Sequence, residues 1–460
     1  LRAHHTMRRG IFWFGNDLRL HDQTALRALA CRVDELICVF CLDPALLQSR
    51  PEILGHAPAS PHRMAFLQQS LGDLNGNLAE LDQHLLICQR EPVAALSQLI
   101  SQFEVSEVAR SRHPGVYEQA QWQALQKQFP HCHFQEADSR TLFSTDTLPF
   151  SWKELPSTFS QFRRAVENLT VPQPLPAPQT LPPPPSPLPS ALALTNLKST
   201  LQLALPSPPA LPDDSEAERF IGGEQAGLQH LHHYFHSAWP GKYKALRNDL
   251  DQWHHSTKFS PWLALGCVSP RQIVMRLREY ESREGASDSS YWIYFELLWR
   301  EFFQWHAHQH GAKLFRFQGL RGKRPLTSFY PDRFRAWCEG TTPWPIVNAC
   351  MHQLRETGFM SNRGRQLVAS CFVHELQLDW RYGAAYFEQH LIDYDMASNW
   401  GNWQYLAGVG ADPRGHRRFD LDKQARQYDP NGDFVRRWRG EASVAHMDSQ
   451  DMVGWPSEGG

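Results

Sequence analysis

The proline-rich stretch Pro172–Pro212, with Pro182-Pro183-Pro184-Pro185 inside it, most constrains how this chain can fold. Proline fixes φ and has no backbone donor, so the stretch reads as an extended, semi-rigid connector and not a packed element. It separates two segments whose hydrophobic patterns differ. At 460 residues the chain also exceeds one ordinary core, so two or three packed units are expected. The reading is an α/β domain over 8–137, a connector over 138–212, a helical domain over 213–440 and a disordered tail over 441–460.

Before the connector, apolar strand-like runs alternate with helical ones. Strands are expected at Gly10–Phe14, Glu35–Leu42, Leu85–Cys88 and Glu107–Arg110, and helices at Asp22–Ala30, Pro61–Leu81 and Pro92–Phe103. That alternation predicts a doubly wound parallel sheet. No Gly-x-Gly-x-x-Gly turn follows a strand, so no dinucleotide site is placed there. Cys38 and Cys41 have redox spacing, but residues i and i+3 of a strand face opposite ways, so packing is the better reading.

After the connector the pattern is helical. Ser260-Pro261 and Ser269-Pro270 each place a capping hydroxyl before a proline at the first helical position. Ser290 precedes a long helix, Tyr291–His310, closed by Gly311. On it Glu296, Trp299, Arg300 and Phe303 fall at i, i+3, i+4 and i+7, on one face. This is either an amphipathic helix with a surface Glu296–Arg300 pair or the wall of a site. Thr357–Gln366 and Asp393–Trp403 crowd Asn362, Arg363, Arg365, Asp393, Asp395, Asn399 and Asn402 among apolar neighbours. So many polar groups near a buried region need partners, either one another or a polar ligand such as a flavin edge.

Composition narrows the classes. A net charge of −2 with pI about 7.0 excludes a wholly basic nucleic-acid coat, so any such surface is local. Nine scattered cysteines suit a reducing compartment, and no run is apolar enough to span a bilayer, so a cytoplasmic location without membrane contact is expected. His230, His232, His233 and His236 lack supporting Cys or carboxylate spacing, so no metal is expected and they read as a solvated helix face.

Six segments stand out: Phe12-Trp-Phe-Gly-Asn-Asp-Leu-Arg19, Phe159-Ser-Gln-Phe-Arg163, Thr257-Lys-Phe-Ser-Pro-Trp262, Glu296-Leu-Leu-Trp-Arg-Glu301, Gly358-Phe-Met-Ser-Asn-Arg363 and Asp393–Trp403. Together they resemble the photolyase/cryptochrome family, in its cryptochrome-DASH branch. The resemblance implies an α/β domain, a connector and an all-α domain that holds FAD. It places Tyr243, Ser256, Thr257, Lys258, Phe259 and Ser260 along the FAD phosphates and ribityl chain, where free N–H groups at a helix start suit a pyrophosphate. It places Arg300, Arg365, Asp393, Tyr394, Asp395 and Asn399 around the cofactor, with Arg365 and Asp393 as an ion pair over the ring system and Asn399 facing flavin N5.

For the substrate, the resemblance implies that Glu296 hydrogen-bonds a flipped-out cyclobutane pyrimidine dimer, Trp299 stacks on it and Asn362 contacts it. Tyr405 stands where classical dimer photolyases carry a second Trp, and Gln366 where they carry Met. Both replacements are typical of the DASH branch and go with single-stranded DNA, with RNA a further nucleic-acid partner and a monomer the expected state. A single strand spares the cost of extruding the lesion, and binding then rests on stacking and a basic groove. Arg316, Arg321, Lys323, Arg324, Arg414, Arg417 and Arg418 are candidates for that groove.

The activity implied is a deoxyribodipyrimidine photo-lyase, working by electron transfer. Trp403 and Trp380 match two members of the Trp chain that reduces the flavin. The third position is Thr327, which cannot serve, so Tyr330, Phe329 or Trp400 is expected to substitute. A methenyltetrahydrofolate antenna near Glu118 is also implied, although the segment His113–Glu118 departs from the family wording. The alternative function is a blue-light photoreceptor without repair; a light-independent nucleic-acid-binding module leaves the polar pocket unexplained. A (6-4) photoproduct is disfavoured, because no histidine lies near Asn362.

Overall fold

The computed structural model describes residues 7–47, 58–186, 220–412, 414, 417–441, 444, 445 and 447. The chain forms two compact units, one of 1–244, 257–311 and 392–398, the other of 245–256, 312–391 and 399–460.

The first unit contains a five-stranded sheet: β1 (Arg9–Phe14), β2 (Glu35–Cys41), β3 (Leu85–Cys88), β4 (Glu107–Ser111) and β5 (His133–Ala137). All pairs are parallel and the spatial order is β3-β2-β1-β4-β5, a doubly wound arrangement. Helices α1 (Thr24–Ala30), α2 (Pro61–Ala79), α3 (Pro92–Gln102) and α4 (Val116–Gln128) make the crossovers. Ile11 pairs with Ile37 on one side and Val108 on the other, and all three are at most 1% exposed. A parallel sheet covered on both faces requires such unbroken apolar strands.

Where the structure departs from the sequence pattern, the causes are local. Helix α4 carries an almost wholly polar, Gln-rich surface with only Trp122 and Leu125 buried, and β5 is an edge strand of mixed polarity; neither presents a clean period. The described part of the proline-rich stretch, up to residue 186, has neither helix nor strand, yet it is docked. Asp22 N donates to Leu175 O (2.8 Å), Leu36 N to Pro183 O (2.9 Å) and Gln83 Nε2 to Pro182 O (2.6 Å). Prolines lack donors but keep carbonyls, and the flank of the sheet supplies the N–H groups. This corrects the expectation of an unpacked connector; residues 187–219 lie outside the described set.

The unit continues with helices α5 (Phe159–Val166), α6 (Glu224–Phe235), α7 (Ser260–Ala264), α8 (Pro270–Glu284) and α9 (Asp288–His310). Ser269 caps α8 as expected, accepting from Gln272 N at 3.0 Å. Ser260 does not cap: it is already helical, and Phe259 before it has helical backbone angles. Helix α9 starts three residues earlier than expected, because Ser287 is the cap and Ser290 answers it in a reciprocal box. Buried Arg19 ties sheet to helices, donating to Ser139 O (2.6 Å) and Gly266 O (2.9 Å). Glu224 does likewise by accepting Leu20 N and His21 N.

The second unit is helical: α10 (Pro331–Glu339), α11 (Pro345–Thr357), α12 (Asn362–Ser370), α13 (Trp380–His390) and the part of α14 (Met396–Ala407) from Asn399 onward. Every residue of α11 from Ile346 to Leu354 is buried, making it the central helix of this unit. Among the described residues no helix is long and apolar enough to cross a membrane.

Candidate active site

In the first unit, α9 presents two kinds of surface. Leu297, Leu298, Glu301 and Phe302 are buried, while Trp292, Phe295, Glu296, Trp299 and Arg300 form a half-buried stripe. Glu296 and Trp299 therefore share a face that neither faces the core nor lies fully in solvent. Trp299 is held flat: its ring stacks on Phe159 of α5 at 3.7 Å and 13°, with Phe303 at 5.7 Å. Phe159 belongs to the sequence segment singled out above, and Thr158 caps its helix.

Arg300 donates to Arg140 O at 2.7 Å, and burial lowers its pKa. Arg140 in turn bonds Asp395 at 3.0 Å, and Gln304 Nε2 and Ser398 N reach the other Asp395 oxygen at 2.7 and 2.8 Å. Burial alone would raise the Asp395 pKa, but Arg140, Arg300 and the Ser398 bonds hold it below the usual carboxylate range. Sequence reasoning missed Arg140, which lies in an aperiodic segment, and Gln304. Asp393 is also buried, and the guanidinium of Arg63 lies 4.8 Å from the Tyr394 ring centre.

The segment before α7 is built from aromatic walls. Phe259 is buried against Tyr234 and Phe235 at 5.3 and 5.8 Å, and Tyr243 is buried nearby in the chain. Lys258 has φ +56°, a left-handed backbone that a non-glycine residue adopts at a cost and that often marks a functional turn. His230 is part of this wall. Its ring stacks on Trp262 at 4.8 Å and its Nε2 lies 2.8 Å from Thr257 O. The solvated-face reading holds for exposed His232, His233 and His236 and is corrected for His230, which is half-buried.

The second unit carries the other candidates. Ser256 is extended, and exposed Asn362 opens α12 under the cap Ser361. Arg365 donates to Met360 O at 2.8 Å with Phe359 at 5.2 Å, and Arg363 reaches Asn248 at 3.3 Å. Asn399 Nδ2 donates to Ala384 O at 3.0 Å. Trp403 is 2% exposed, boxed by Phe372 (5.5 Å), Phe387 (5.1 Å) and Trp337 (6.1 Å). Gly383 makes room for it, since a Cβ there would fall 2.3 Å from Trp403 Cη2.

Trp380 donates its indole N–H to Phe317 O and meets Trp400 at 5.7 Å. Of the three aromatics expected to stand in for Thr327, Trp400 is the one in ring contact with Trp380. Phe329 stacks on Tyr382 at 4.2 Å, and Tyr330 lies against Arg333. Tyr405 accepts a hydrogen bond from Arg417, which also pairs with Asp412, and Arg418 pairs with Glu375. Arg316, Lys323 and Arg324 are exposed.

In the first unit, Glu118 lies in the first turn of α4, 3.6 Å from His113 Nδ1. A separate pocket opens at the carboxyl ends of β1 and β2, lined by Gly15, Asn16, Phe40, Leu46, Arg63 and Tyr394 among others. Doubly wound sheets bind ligands at that edge. Two buried groups elsewhere ask for a further polar partner: Arg140 Nε and Nη1 in the first unit and Gln366 Oε1 in the second have none. Within the first unit, the Arg140 donors, the buried Asp393 and Asp395 carboxylates and the aromatic wall around Phe259 fit a polar cofactor with an aromatic part.

Comparison with known proteins decides the family. One family model, DNA photolyase, matches residues 10–180, and a second, the FAD binding domain of DNA photolyase, matches residues 292–453. The chain is 52% identical over 453 residues to cryptochrome DASH of Idiomarina loihiensis, covering 98% of this chain and 96% of that one. It belongs to the photolyase/cryptochrome family, in the cryptochrome-DASH branch. Cryptochrome DASH of Vibrio parahaemolyticus is 50% identical, covering 97% of each chain. A crystal structure of a Synechocystis cryptochrome superposes with a TM-score of 0.83 at 38% identity, covering 95% of this chain and 89% of that one. Within the family the FAD-binding region takes in Glu296, Trp299, Arg300, Asn362, Arg365, Gln366, Asp393, Asp395, Asn399 and Trp403. Tyr243 and Ser256–Ser260 precede it.

Proposed function

We propose that this protein repairs cyclobutane pyrimidine dimers in single-stranded DNA when illuminated. The observation that carries the proposal is the α9 stripe, where a carboxylate, Glu296, stands one turn from a tryptophan whose ring is fixed flat by Phe159. A fixed aromatic face suits an unstacked base, and a neighbouring carboxyl suits its hydrogen-bonding edge.

When bound and reduced, FAD would supply light-driven electron transfer to the lesion. The protein's part is to bind, orient and exclude water. Glu296 holds a dimer carbonyl and shares a proton with it, Trp299 is its platform, and Asn362 and Gln366 line the approach. Arg365, Asp393, Asp395 and Asn399 fix the cofactor ring, with Arg300 and Arg140 setting the charge around Asp395. Tyr243 and Ser256–Ser260 hold its phosphate arm, the Lys258 turn presenting backbone groups to it. Trp403 and Trp380 conduct toward the surface, with Trp400 completing the route that Thr327 interrupts. Tyr405, carrying Arg417 on its ring, replaces a second stacking wall with a polar one, which suits a single strand more than a wedged duplex.

A folate antenna beside Glu118 and His113 extends the proposal, and the Arg63–Tyr394 pocket is the other place for it. Action in the cytoplasm as a monomer, with RNA as a lesser partner, completes the reading. To test repair, the reduced protein and a dimer-containing oligonucleotide are illuminated, with a dark control and a Glu296→Gln variant. The expectation is regain of thymine absorbance in light alone, slowed about tenfold by the loss of the carboxyl group's hydrogen bond and proton. Equal absorbance in light and dark supports the photoreceptor reading instead.

A further inference from the structure

Cys38-Val-Phe-Cys41 draws the eye as a redox spacing, but the sheet gives Cys41 a different neighbour. Strand β2 pairs with β3 in parallel, and the register sets Cys41 directly beside Cys88 and Cys38 beside Leu85. Register partners on adjacent strands point to the same face. The core confirms which face it is: Ile37, Val39, Leu86 and Cys88 belong to one apolar cluster, and Cys41 packs against that cluster. Adjacent strands lie about 4.8 Å apart, inside the roughly 4.4–6.8 Å span of Cα separations that a disulfide bridges. The ladder continues past the pair, since Leu42 N donates to Cys88 O at 2.8 Å, so the two strand ends are held level.

The pair is electrically uneven. The adjacent Cys41 thiol and the nearby Arg90 guanidinium hold the Cys88 thiol below its ordinary value despite burial. The Cys88 sulfur beside it, burial and the Glu91 and Asp43 carboxylates push the Cys41 thiol up. One member is thus the better thiolate and the other keeps its proton, which suits sequential attack. Cys41 is partly exposed and Cys88 is buried, so the site admits a small oxidant and not a bulky one.

We propose that Cys41 and Cys88 form a dithiol oxidised to a disulfide by a hydroperoxide. The Cys88 thiolate attacks the peroxide, so that an S–O bond forms, the O–O bond breaks and the leaving alkoxide takes a proton to become an alcohol. The Cys41 sulfur then attacks Cys88, the S–S bond forms, the S–O bond breaks and hydroxide leaves as water with the Cys41 proton. Two thiols lose two electrons and the peroxide gains them. Phe40 and Leu46, on the same segment as Cys41, line the pocket at the sheet's carboxyl edge, so the bridge would pin one border of that pocket.

The test treats the full, FAD-loaded chain with hydrogen peroxide as the probe, followed by thiol alkylation in denaturant and peptide mass spectrometry without reductant. A Cys31→Ser variant removes the exposed thiol that would otherwise compete. The expected result is loss of two alkylatable thiols of the remaining eight, one cross-linked peptide joining Cys41 to Cys88, and full recovery with dithiothreitol. Separate alkylation of Cys41 and Cys88 after oxidation, or sulfinic acid at either without a cross-link, overturns the proposal. Because the readout is made on the chain with both cysteines in place, it does not depend on the folding of a core variant.

Discussion

Asp395→Asn isolates a charge while preserving shape. Asp395 and Arg140 are among the most buried ionisable groups of the first unit, with side chains 7% and 4% exposed and 3.0 Å apart. Asparagine fills the same volume, so packing is nearly unchanged. What is lost is the counter-charge of Arg140, whose Nε and Nη1 have no other partner. Removing one member of a buried pair costs about 3–5 kcal/mol, because the remaining ion stays desolvated. Chemical denaturation at neutral pH should show a loss in that range, read from the fall in midpoint at constant slope. The pairing can be checked with Arg140→Met, since the double variant should cost clearly less than the two singles summed. The sign of the pH dependence follows from the shift. The folded Asp395 pKa lies below its unfolded value, so its stabilisation is full above about pH 4 and disappears as pH falls through the folded value. The deficit of the variant should therefore shrink in acid. A loss under about 1 kcal/mol, or one that is the same at neutral pH and in strong acid, refutes the reasoning.

Three further outcomes are expected. Trp299→Ala removes a stacking platform and should weaken binding of a dimer-containing single strand by about 1–3 kcal/mol, roughly 5- to 150-fold, measured by fluorescence anisotropy. Gly383→Ala drives a Cβ to 2.3 Å from Trp403 Cη2, so overpacking of about 1–3 kcal/mol should outweigh the helix preference for alanine and lower the thermal midpoint. Trp380→Phe should slow light-driven flavin reduction in the presence of an external thiol, and Trp400→Phe should do so as well; unchanged rates in both would place the electron route elsewhere.

Much of the first unit was legible because parallel strands buried on both faces are written as unbroken apolar runs, as in β1 to β3. Helix α4 and β5 escaped because a polar crossover helix and an edge strand carry weak periodicity. The start of α9 was misplaced by three residues, since Ser287 and Ser290 are both competent caps and only the reciprocal bonds tell them apart. In the site, the α9 stripe was readable from spacing. The partners that set its electrostatics, Arg140 and Gln304, were not, because a contact between distant segments leaves no local pattern. His230 was hidden among its exposed neighbours for the same reason, and the pairing of Cys41 with Cys88 depends on strand register, which no spacing within one strand reveals.

The most direct test compares the rate of dimer loss under blue light for one lesion placed in a single-stranded oligonucleotide and in the matching duplex. The protein should clear the single strand in light, leave it untouched in darkness, and act on the duplex far more slowly. Persistence of the lesion in both substrates, with the flavin bound and reduced, would contradict the repair assignment.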